Sequence, residues 1–243
     1  SQLFTQYFRG PSSTVIGTNE KWVVDQLNTS DETYRSCAYN AGNGGLDYCL
    51  NKGRTQGYVV SSDVDFYANN PGRDGSALLA HEYFHLVQQK YSLNKMTCWM
   101  VEGSATYFGV ALGVDGEDPT GKSTTTFLNQ LAGQYNPGGP RNLGSAAKLR
   151  QKISTDEGAV QVLKDLEVKP DRDVDCLSYA AYSVGGIATE ALIGAKGFKT
   201  YMDFVTTFPT TTDWKLDFKK AFGLTPDEFY LKLAPYLRSR LAG

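Results

Sequence analysis

The only two histidines in the chain, His81 and His85, stand four residues apart in the run His81-Glu82-Tyr83-Phe84-His85. On a helix, residues four apart lie on nearly the same side, one turn from each other. Both imidazoles then reach one metal ion, each through a nitrogen at about 2.0–2.1 Å. Glu82, next to the first of them, projects beside that metal, where a carboxylate can take a proton from water. The run leading in, Ala77-Leu78-Leu79-Ala80, is apolar, as suits a helix passing through a core. Two ligands do not complete a catalytic zinc site, which takes three from the protein and keeps one position open. With no third histidine in the chain, a carboxylate or a thiolate must serve. Glu102 is the candidate. It follows His85 by 17 positions, room for the first helix to end, turn and feed a second whose first turn faces the histidines. Small residues at Gly103, Ser104 and Ala105 permit those two helices to approach closely.

The elements that must hold these groups are legible in outline. Residues 74–91 read as the first helix, with Leu79, Tyr83, Leu86 and Val87 as a core-facing stripe. The second covers residues 99–112. Ahead of them, residues 40–47 are Gly- and Asn-rich and read as a loop, and the strand formers of residues 57–67 read as β-structure. Further on, Ser154-x-x-Glu157 is a capping box that opens a helix ending near Glu167. Residues 179–193 form another helix, broken or closely packed at Gly185-Gly186. Thr225-Pro226-Asp227-Glu228 joins a capping box to a proline at the first helical position and starts the last helix. The expected class is α+β. An N-terminal lobe, residues 1–92, carries a small twisted sheet packed on the active-site helix. A helical C-terminal lobe, residues 93–243, carries the third ligand. The zinc site lies between them, in one continuous catalytic domain.

Composition narrows the partners. The chain has 243 residues, 41% hydrophobic and 21% charged, with a formal net charge of -2, which is ordinary for a globular domain. No block of Lys and Arg offers a nucleic-acid groove, and no run of about 18 apolar residues offers a membrane span. A monomer is expected. Four cysteines, none in a C-x-x-C pair, suit two disulfides in an oxidising compartment. Cys37 and Cys49 flank the turn signal Asn43-Gly44-Gly45 and suit a local clip, which leaves Cys98 with Cys176; four free thiols are the alternative. The chain starts at Ser1 without a basic-then-apolar leader, so a secreted protein would already have shed its signal peptide.

H-E-x-x-H followed by Trp99, Glu102, Gly103, Ala105 and Tyr107 in the pattern W-x-x-E-G-x-A-x-Y resembles the gluzincin zinc metallopeptidases, most of all their small peptidase MA-like families. The resemblance covers residues 77–107 well, the C-terminal helices more weakly, and residues 1–56 not at all. It implies zinc-dependent peptide hydrolysis, one Zn2+ on His81, His85 and Glu102, and Glu82 as general base. It also implies a donor for the oxyanion. Tyr182, in Tyr182-Ser183-Val184-Gly185, matches the Y-x-x-G segment that carries a catalytic tyrosine in gluzincin aminopeptidases, and Tyr179 fits the spacing about as well. Two departures stand out. No Gly-x-Met-Glu-Asn segment is present to anchor a substrate's free amine, which favours an endopeptidase. Thr106 stands where thermolysin-like members place an aspartate that orients a ligand histidine, leaving Asp63, Asp65 or main-chain carbonyls as candidate acceptors. Two other readings remain: a secreted binding module with a structural zinc, and a zinc amidase acting on a non-protein substrate.

Overall fold

A computed structural model describes residues 4–8, 46–50, 57–61, 75–109, 146–169, 176 and 179–241. The candidate ligands sit on its first two helices, α1 (Gly75–Lys90) and α2 (Cys98–Gly109), joined by a single 3-10 turn, Leu93–Lys95. A connection this short keeps consecutive helices as packed neighbours. Four N–H groups at a helix start lack an intrahelical partner. In α2, those of Cys98 and Trp99 donate to the main-chain carbonyls of Val168 and Leu166, at 2.7 and 3.3 Å. Eleven of the twelve α2 residues are buried, all but Tyr107. Such a helix is held by its surroundings on every side rather than by one apolar stripe.

Those surroundings are helical. α3 (Ala146–Lys152) and α4 (Asp156–Asp165) lead to the Leu166–Val168 segment that closes the start of α2. α5 (Tyr179–Lys196) lies along α2. α6 (Phe198–Val205), α7 (Trp214–Phe222) and α8 (Pro226–Leu241) complete the core. The fully buried Trp99 anchors α2 to α8, its indole N–H donating to the Tyr230 hydroxyl at 3.0 Å. Cys98 is disulfide-bonded to Cys176, with Cα atoms 5.0 Å apart, so the start of α2 is tied covalently to the segment just before α5.

Where α2 and α5 cross, the contact is backbone on backbone. A Cβ added to Gly103 would stand 2.5 Å from both Cα and O of Gly185, and one added to Gly185 would stand 2.9 Å from Cα of Gly103. Only glycine fits at either position, so the closeness expected at Gly185-Gly186 is present. The small residues of α2 divide their work differently from the expectation. Gly103 serves the approach of α5, while Ser104 faces α1 through Gln88.

The expected α+β class is corrected. Of the residues whose side chains are described, 79% are helical and none lies in a strand, so the described interior is all-α. Three five-residue strands pair in the order β1-β3-β2, with β1 (Phe4–Phe8) parallel and β2 (Leu46–Leu50) antiparallel to β3 (Gly57–Ser61). Of the strand read over residues 57–67, Gly57–Ser61 is present and residues 62–67 lie outside the described residues; β2 begins at Leu46, within the loop read over residues 40–47. β-propensity records how a side chain fits a half-buried pleated surface, and it sets neither strand length nor class.

Two local readings also shift. Among the described side chains of α1, those of residues 80–90, the buried ones are His81, Phe84, His85 and Gln88. Of the residues expected to face the core, Val87 is partly buried and packs against it, Tyr83 and Leu86 are partly buried, and the Leu79 side chain lies outside the described residues. α4 is capped by Thr155, whose hydroxyl accepts from the Gly158 N–H at 3.0 Å, while Ser154 donates back to the Gln151 carbonyl at 2.7 Å. The capping box at Thr225 forms as read. Its N–H donates to Glu228 Oε2 at 2.7 Å, and the Glu228 N–H returns to Thr225 Oγ1 at 3.2 Å. No helix among the described residues is long and apolar enough to cross a membrane.

Candidate metal centre

Helical spacing puts His81 and His85 on one side of α1, and α2 brings the Glu102 carboxylate to meet them. His81 Nε2 and His85 Nε2 are 3.1 Å apart, and Glu102 Oε2 lies 3.4 Å from the first and 3.5 Å from the second. A tetrahedral ion with bonds of about 2.0–2.1 Å separates its ligand atoms by about 3.3–3.4 Å. The observed triangle matches that spacing. All three residues are buried, and Glu102 Oε2 is paired with the two imidazoles at ion-pair distance, outside hydrogen-bond geometry. A buried carboxylate oxygen is costly unless it is paired or coordinated. His81, His85 and Glu102 therefore form a group that can hold a metal ion.

The electrostatics of the trio follow from burial and proximity. Burial lowers the His81 imidazole. Burial also pushes His85 down, but the Glu102 carboxylate beside it wins and raises it to about 9. For Glu102, burial favours the neutral acid, yet the two imidazoles outweigh it and hold the carboxyl well below the usual carboxylate range.

Compared with known proteins, the chain matches no family model, no curated protein and no solved structure. The site is accordingly read from its own geometry.

The residues singled out in the sequence are distributed around this group as follows. Glu82 Oε1 is 4.0 Å from His81 Nε2, and its side chain is 13% exposed, so it borders the trio while keeping access to solvent. Tyr182, on α5, lays its ring parallel to His81, with centroids 5.6 Å apart and 7° between planes. Tyr179 is the first residue of α5, where only its backbone is described. Cys37, Asp63 and Asp65 lie outside the described residues, which leaves the Cys37–Cys49 pairing outside them too. The Thr106 hydroxyl is buried and has no hydrogen-bond partner among the described residues.

One residue of the site, Gln88, was not singled out in the sequence. His85 Nδ1 is 2.7 Å from Gln88 Oε1, and Gln88 is fully buried. The amide nitrogen of Gln88 donates to the Val101 carbonyl and to Ser104 Oγ, both at 2.8 Å, and more weakly to the Met100 carbonyl at 3.3 Å. Ser104 in turn donates to the Met100 carbonyl at 2.5 Å. The acceptor sought at Asp63, Asp65 or a main-chain carbonyl is thus, for His85, a side-chain amide one turn along its own helix. Its position three residues after a ligand was the available clue.

Proposed function

We propose that the chain is a secreted zinc metallopeptidase of the gluzincin type that hydrolyses peptide bonds, an endopeptidase rather than an aminopeptidase. The observation that carries this is the convergence of three buried ligand atoms with a carboxylate, Glu82, standing beside them. A structural zinc site is closed by four protein ligands, whereas three with one position left over is the catalytic pattern. A zinc ion on this trio would supply Lewis acidity, lowering the pKa of water at its open position to about 7.

The chain's own residues supply the rest. Glu82 takes the proton of the attacking water and delivers it to the leaving amine. Glu102 stays fixed because the backbone of its helix is locked by the glycine crossing and the Cys98–Cys176 bridge, and His85 is tied to that helix through Gln88. Tyr182, stacked on His81, donates its hydroxyl to the carbonyl oxygen as that oxygen gains charge. The disulfide supports an oxidising compartment. The missing amine-anchoring segment supports internal cleavage.

Metal analysis of the purified protein should find about one zinc per chain, and the protein should cleave unfolded casein. Glu82→Gln should keep the zinc and lose cleavage, since the change removes the proton acceptor and none of the ligands. Zinc bound without cleavage of any peptide by the wild type would refute the peptidase reading and leave a binding module.

A further inference from the structure

We infer that Gln88 is the positioning residue that fixes the tautomer of His85 and the spacing between His85 and Glu102. The inference rests on the metal reading above and adds to it a residue that contacts neither metal nor substrate.

The orientation of the Gln88 amide follows from its partners. A main-chain carbonyl can only accept, so the end facing the carbonyls of Met100 and Val101 must be the NH2. The other end, Oε1, then faces His85 Nδ1 at 2.7 Å and can only accept. Nδ1 must therefore carry the hydrogen, and in the neutral ring Nε2 is left with its lone pair. That lone pair is on the atom 3.1 Å from His81 Nε2 and 3.5 Å from Glu102 Oε2. A metal-ligating histidine generally has its other nitrogen held in this way. Here the holder is neutral and reaches across the helix interface.

The second half of the amide sets distance. Its acceptors, Met100, Val101 and Ser104, flank Glu102 on α2. Gln88 thus grips the backbone that carries one ligand with its nitrogen and the ring of another ligand with its oxygen. A carboxylate at this position would serve His85 but would have no hydrogen for the two carbonyl oxygens. An amide satisfies both sides at once.

The test uses Gln88→Met, which keeps length and apolar packing but offers no acceptor, and Gln88→Glu, which keeps the acceptor and loses the donors. Because the chain has two histidines in all, ring-15N NMR shows two imidazoles, separable by comparison with a His81→Ala variant. In the metal-free protein at about pH 10, where neutral rings prevail, wild type and Gln88→Glu should show His85 as the Nδ1–H tautomer. Gln88→Met should show a mixture. In competition with a chelating dye, zinc affinity of Gln88→Met should fall about 10–100-fold. A residue that merely packs α1 on α2 would leave the tautomer unchanged in all three, and that result overturns the inference. Ser104→Ala, which removes one anchor of the amide and touches no ligand, should also weaken zinc binding. If Gln88→Met does not fold, unchanged zinc affinity in Ser104→Ala overturns the inference. A wild type that takes up no zinc refutes the metal reading, while the ring spectrum of the metal-free protein still decides the role of Gln88.

Discussion

Gly185→Ala should destabilise the protein, and Gly194→Ala, on the same helix, should stabilise it. A methyl group on Gly185 would stand 2.9 Å from Cα of Gly103 and closer still to the Trp99 carbonyl oxygen, whereas ordinary contact begins at 3.4 Å. The α2–α5 crossing must open by at least about half an ångström, and the atoms in the way are backbone, which cannot rotate aside. Overpacking of this kind costs about 1–3 kcal/mol. Rigid backbone this close puts the case in the upper part of that range, about 2–3 kcal/mol; replacing a helical glycine by alanine returns up to about 1 kcal/mol, so a net loss of about 1–2 kcal/mol is expected. At Gly194 a Cβ would meet nothing within 4 Å, so only the favourable part remains. For a chain of this size each kcal/mol shifts Tm by roughly 2–4 °C. Thermal and urea unfolding should therefore move in opposite directions, down by about 2–8 °C for Gly185→Ala and up by about 1–4 °C for Gly194→Ala. Because the crossing also holds Glu102 and Tyr182, Gly185→Ala should weaken zinc binding as well. A Gly185→Ala protein as stable as the wild type would refute the close crossing and the account of how the ligand helix is held.

Two further outcomes follow from the site and its supports. In the metal-free protein His85 is raised to about 9, against about 6.5 for an unfolded chain. Its contribution to stability is therefore full below about pH 6.5 and lost as pH rises through about 9. A metal must displace that proton, so zinc affinity measured by dye competition should rise about tenfold per pH unit between about 6.5 and 8.5; a flat profile would refute the proton-linked site. Replacing both Cys98 and Cys176 by serine releases a loop with a sequence separation of 78. The double variant should lose about 2–5 kcal/mol in urea unfolding.

The grouping of His81, His85 and Glu102 was legible because helical periodicity converts a spacing of four into a shared face, and because a chain with two histidines leaves few candidates for a third partner. The cap at Thr225 followed from an equally local rule, while the Cys98–Cys176 bridge, with a sequence separation of 78, was reached only by elimination. Gln88 was hidden because a polar residue on an amphipathic helix ordinarily faces water. Only the arrival of α2 carbonyls makes burial there favourable. The same cause explains the misread face of α1. Apolar residues mark a core stripe when the core is apolar, but here the buried stripe carries the ligands. Ser154-x-x-Glu157 matched the capping box, but the cap is the next hydroxyl, Thr155, one residue further along. The all-α interior could not be read from strand formers whose pairing spans five residues.

The near-total burial of α2 has a consequence for how the site ages under mutation. With eleven of twelve positions enclosed, most changes on that helix would harm folding before they could nudge the carboxylate. Selection for a stable chain would then preserve Glu102 geometry as a by-product, even in a lineage that had stopped using it. Glu82, at the margin of the site and outside that helix, is somewhat less enclosed. In a library of variants screened only for solubility, substitutions should accumulate at Glu82 well before they appear along Cys98–Gly109.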